Sequence, residues 1–88
     1  MIKIWMFGSH DETWGIFTAE NLTSIYACIE KEALEFERVL QPHMDEILET
    51  FTGTILEYEL DTTEPLRYCN VTYTYATGGI ELSKWHEW

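Results

Sequence analysis

The feature that most constrains the fold is a change of apolar period two-thirds of the way along the chain. Leu22, Ile25, Tyr26, Ile29, Ala33, Phe36 and Leu40 recur every three or four residues, which gathers them on one face of a helix. From Thr54 onward the period is two. Leu56, Tyr58 and Leu60 share one side of a strand, and Ile55, Glu57, Glu59 and Asp61 share the other. Between Tyr68 and Ala76 the alternation returns, with Cys69, Val71, Tyr73 and Tyr75 opposed to Asn70, Thr72 and Thr74. A chain that writes a helix and then alternating strands must pack one against the other.

The remaining elements follow from local chemistry. Ile2 to Phe7 reads as a strand, Gly8 to Glu12 as a turn, and Trp14 to Phe17 as a second short strand. Thr18 is placed to cap the helix, with Glu20 in its first turn. Pro42 ends that helix and suits the first position of another, in which Met44, Ile47, Leu48 and Phe51 keep helical spacing and Gly53 supplies the stop. Thr62 to Pro65 is a turn, Thr77-Gly78-Gly79 is a hairpin, and Ile80 to about Trp85 is the last strand. The expected architecture is a single α+β domain over residues 1–88. Its order is ββααβββ, a small mainly antiparallel sheet with two helices on one face.

Charge separates the function classes. The chain has 16 acids against 5 Lys and Arg, a net charge of −11. Direct binding to nucleic acid or to an anionic membrane is therefore disfavoured, and a basic protein partner is attractive. The acids concentrate between Glu30 and Glu64, at Glu30, Glu32, Glu35, Glu37, Asp45, Glu46, Glu49, Glu57, Glu59, Asp61 and Glu64, with only Lys31 and Arg38 to offset them. Alternation points Glu57, Glu59 and Asp61 from one sheet face at steps of roughly 6.6 Å, a spacing comparable with successive phosphates. On the helix, Glu30 and Glu37 lie on one side and Glu32 and Glu35 on another. Such a set either solvates the surface or forms a phosphate-like stripe, and in the second case salt or mild acid raises stability by relieving repulsion.

Catalytic signatures are missing from the sequence: there is no nucleophile motif, Gly-rich phosphate loop or metal-ligand spacing. His10-Asp11-Glu12, His43 with Asp45 and Glu46, and His86 with Glu87 do not match a known metal site. No enzyme, metal or cofactor is expected. Cys28 and Cys69 read as free thiols, and the apolar run Ile4-Trp5-Met6-Phe7 is shorter than a secretory or membrane segment needs, so the expectation is a cytoplasmic protein. Trp85 and Trp88, and Trp14 in the hairpin, either pack on the sheet or form a contact surface, and a last edge strand can pair with a copy to make a homodimer.

Ile4-Trp5-Met6-Phe7-Gly8-Ser9, Trp14-Gly15-Ile16-Phe17-Thr18-Ala19-Glu20 and Ile55-Leu56-Glu57-Tyr58-Glu59-Leu60-Asp61 resemble a widespread, largely uncharacterised family of small phage and bacterial proteins. The resemblance covers residues 2–61. It implies a strand, a Gly-flanked strand, a helix and a strand ending in a Tyr-Glu-Leu-Asp-like motif, and it carries no catalytic residues. The chain departs from it by a second acidic helix near Pro42 and a hairpin after Arg67. In size and acidity the chain is also similar to phage host-takeover inhibitors that mimic nucleic acid. That likeness implies a DNA mimic covering the nucleic-acid site of a basic host protein, with a nucleoid protein such as HU favoured and a restriction or CRISPR effector next. The alternative is an aromatic-surface interaction module without mimicry.

Overall fold

A computed structural model describes residues 3–9, 12–19 and 23–88. Six strands and one α-helix follow in the order β1 (Lys3–Gly8), β2 (Thr13–Ala19), α1 (Thr23–Val39), β3 (Thr50–Tyr58), β4 (Arg67–Thr74), β5 (Gly79–Leu82) and β6 (His86–Glu87). The sheet runs β2-β1-β3-β4-β5, and β6 pairs with β4 beyond the end of β5. Every pairing is antiparallel. β2 and β3 both run against β1, so they are parallel to each other and need a crossover, which α1 provides.

The antiparallel sheet stands, but the second helix does not. Residues Gln41–His43 make a single 3-10 turn, after which the chain is irregular until β3 begins at Thr50. Helical spacing from Met44 to Phe51 is a coincidence of side chains: Ile47 is 88% exposed, while Phe51 is buried from within the strand. Two causes favour the strand. Thr50, Thr52 and Thr54 are β-branched and lie opposite Thr74, Thr72 and Asn70, and Phe51, Gly53 and Ile55 extend the apolar face of the sheet. Gln41 fixes the loop between, its amide donating to the Glu46 carbonyl and its Oε1 accepting from the Leu48 N–H at 3.2 Å. Thr18 lies in β2 and caps no helix, whereas Glu20 and Leu22 fall outside the described residues.

One face of the sheet carries the core. Trp5 and Phe7 of β1, Phe51 and Ile55 of β3, and Cys69, Val71 and Tyr73 of β4 are buried with Ile25, Ile29 and Ala33 of α1. Gly53 permits this packing, because a Cβ there would meet the Phe7 ring at 2.7 Å and the Trp14 ring at 3.0 Å. The Tyr75 hydroxyl donates to the Ala33 carbonyl at 2.7 Å and ties the helix to the far side of the sheet. No helix among the described residues covers the other face, where only His86 and Trp88 of the C-terminal segment meet the Tyr68 ring.

Candidate binding surfaces

The expected carboxylate row on β3 is not a row. Glu57 is 1% exposed and points to the core side with Ile55, and β3 ends at Tyr58 before Glu59 and Asp61. Those two occupy a turn in which Asp61 takes the left-handed conformation (φ 64°) and the Thr62 hydroxyl donates to the Glu59 carbonyl at 2.9 Å. Register explains the fate of Glu57. Trp5 and Arg67 are its cross-strand neighbours, so the carboxylate pairs with the Lys3 ammonium and the Arg67 guanidinium. Trp85 closes the cluster: its ring is tilted on Trp5 at 5.7 Å, and the Arg67 guanidinium lies 4.4 Å from its centroid. Burial pushes the Glu57 pKa up, but Arg67 and Lys3 outweigh it and hold the carboxyl below its ordinary value.

The other ten candidate acids are exposed or half-buried, in separate sets. Glu32 and Glu35 line the flank of α1 that faces Trp14, and Glu30 and Glu37 sit on the opposite flank. Tyr75 reports that second flank, since burial and then Glu37 and Tyr73 push its phenol pKa up. The outermost ridge of the helix, Ala27, Lys31, Leu34 and Arg38, carries the bases. Asp45, Glu46 and Glu49 precede β3, and Glu59, Asp61 and Glu64 follow it at the other end, about 30 Å away. The length of β3 thus separates Glu59, Asp61 and Glu64 from Asp45, Glu46 and Glu49, while Glu37 of α1 and Glu49 both adjoin Tyr75.

Two grooves hold the aromatic residues. On the open face, Met6, Leu56 and Tyr68 lie in one cross-strand row and form the floor of a groove of about 560 Å³. Gly8, Ser9, Glu12 and Thr13 of the β1–β2 hairpin make one wall. Trp88 makes the other; it is 65% exposed, its backbone N–H donates to the Leu66 carbonyl at 3.1 Å, and its ring meets Tyr68 edge-on at 6.2 Å. Ile16, beside Met6 in register, is 64% exposed. The second groove, about 310 Å³, lies between α1 and the start of β2, where Trp14 packs on Phe7 and Phe51. Of the three tryptophans considered as contacts, Trp88 faces out, Trp14 is half-buried at a groove, and Trp85 is occupied by packing.

Chemistry for catalysis is sparse at these surfaces. Glu12 is the one Asp or Glu side chain lining the open-face groove among the described residues. Burial pushes the Cys69 thiol up to about 11, and burial with the nearby Glu32 raises that of Cys28, so neither is an activated thiolate. Among the described residues no three His, Cys, Asp or Glu gather to hold a metal, and no helix is long and apolar enough to cross a membrane. His10 and Asp11 fall outside the described residues. The edge expected to pair with a copy is short and interrupted, four residues in β5 and two in β6. No family model, no curated protein and no solved structure matches the chain.

Proposed function

We propose that this chain is a non-catalytic binding module for a basic partner protein, which docks on the uncovered sheet face. The observation that carries this reading is the open-face groove, with Met6, Leu56 and Tyr68 as floor and Trp88 as wall. An apolar surface left open beside an aromatic anchor is the usual anatomy of a protein contact. The net charge of −11 supplies the partner's sign, because exposed carboxylates on the flanks of α1 and at both ends of β3 draw in a basic protein and repel acidic ones. Nucleic-acid mimicry is the second reading. It is favoured by the surface position of ten of the eleven candidate acids, four on the flanks of α1 and six at the two ends of β3.

Partner capture from bacterial lysate at low and high salt tests both, using the wild-type chain and Leu56→Glu. The first reading expects a partner that survives high salt and is lost with Leu56→Glu. A set of DNA-binding proteins that fades at high salt, ignores Leu56→Glu and is displaced by DNA overturns it in favour of mimicry.

A further inference from the structure

Two features meet along the outer side of β2. The first is the edge itself. β2 is the last strand of the sheet order, so its outer peptide groups pair with no strand among the described residues. Its seven residues, Thr13–Ala19, contain no charge and no proline. Sheet edges are ordinarily blunted by brevity, charge, proline or interruption. The opposite edge is blunted: β5 and β6 are short, each contains a Glu (Glu81, Glu87), and Ser83-Lys84-Trp85 interrupts them. β2 is not short and carries no charge or proline; its one irregularity among the described residues is the register shift at Trp14, where Gly15 pairs with Phe7 and Thr13 with Gly8, and beyond it the run from Gly15 to Ala19 is regular, with Ile16 and Thr18 exposed.

The second feature is the groove beside that edge. Its apolar lining includes Trp14, Phe36 and Phe51, and its three carboxylates are Glu12, Glu32 and Glu35. The Trp14 indole N–H donates to Glu12 at 2.9 Å, which fixes the ring at the groove mouth. Glu35 is shared with Arg38 at 3.2 Å, an exposed pair that an incoming cation can displace.

We propose that β2 accepts an extended basic segment of a partner protein as an added strand, with a Lys or Arg of that segment seated between α1 and Trp14. Main-chain hydrogen bonds to β2 supply affinity, and the groove reads alternate side chains. A long cationic side chain matches both parts of the lining, its aliphatic stem against the rings and its head among the carboxylates. An acidic segment would be repelled. A second copy pairing through its own β2 would bring its Glu12, Glu32 and Glu35 toward these, and is disfavoured for the same reason. The inference rests on the reading of a basic partner and is independent of the open-face contact.

The test is amide spectroscopy of the labelled chain with synthetic probes: a peptide alternating Lys and Val, the same peptide N-methylated on alternate backbone nitrogens, and a Glu–Val peptide. The Lys–Val peptide is expected to shift and protect amides of β2 between Gly15 and Thr18, and the other two are expected to fail. Glu32→Gln with Glu35→Gln is expected to weaken binding roughly three- to tenfold with the melting temperature unchanged. Equal binding of the N-methylated peptide, or shifts confined to Met6 and Leu56 on the open face, overturns strand addition. Protection of β2 that grows with protein concentration alone assigns the edge to a second copy and overturns it too. Failure of the peptide with partner capture intact overturns this inference only; peptide binding at β2 with no basic partner captured overturns the open-face reading only.

Discussion

Phe7 and Met6 are neighbours on β1 with opposite surroundings. Phe7 is fully buried among Trp14, α1 and Gly53, whereas Met6 lies half-buried on a face that no helix covers among the described residues. The same contrast runs along β3, where Ile55 and Glu57 turn inward and Leu56 and Tyr58 outward. On the covered face, burial is so complete that a charge can remain only with two counter-charges. On the open face, apolar side chains remain beside water. Stability is thus concentrated on one side of the sheet, and the side chains free to serve recognition on the other.

Phe7→Ala should test this contrast most severely, costing about 3–5 kcal/mol, a large share of the stability of a domain this small. Met6→Ala, one residue away, should cost about 1 kcal/mol or less. Urea unfolding of the two variants reads the difference, and equal losses would mean that the open face is covered in solution.

Glu57→Gln should rank next, at about 2–3 kcal/mol, because it leaves Lys3 and Arg67 facing each other across a desolvated amide. The folded carboxyl titrates below the ordinary 4.5, so its contribution is fully present above that value and is lost as the pH falls through the folded pKa. Unfolding followed on the acid side should therefore decline in the wild type and stay flatter in Glu57→Gln. A parallel decline in both would remove the ion cluster from the account.

Added salt should have the smallest effect. The ten surface acids are exposed or half-buried, where water screens them, so relieving their repulsion should stabilise by about 0.5 kcal/mol, a rise in Tm of about 2–4 °C. A much larger rise would mean that the sets converge in solution more closely than their places in the fold allow.

Much of this arrangement is legible in the sequence. The faces of β4 and the buried stripe Ile25, Ile29 and Ala33 follow from spacing alone. The segment after Pro42 misleads because two periods overlap there. Met44, Ile47, Leu48 and Phe51 keep helical spacing, while Thr50, Thr52 and Thr54 alternate, and pairing with β4 decides for the strand. Glu57 shows a different limit. Alternation places it with Ile55, but which side α1 covers is a property of the crossover and not of the strand. The usable signals were its apolar companion Ile55 and the rarity of cations elsewhere: two of the chain's five, Lys3 and Arg67, converge on it.

The Thr-rich end of the sheet is nearly degenerate under translation. Thr50 and Thr52 face Thr74 and Thr72, and a slide of β3 by two residues would still set Thr50 against Thr72 and keep every side chain on its proper face. Such a slide would part Glu57 from Arg67 and leave a buried anion without its guanidinium. The ion cluster at one end of β3 therefore proofreads the alignment of a strand whose other end tolerates error, and β1 and β4 both read it, through Lys3 and Arg67.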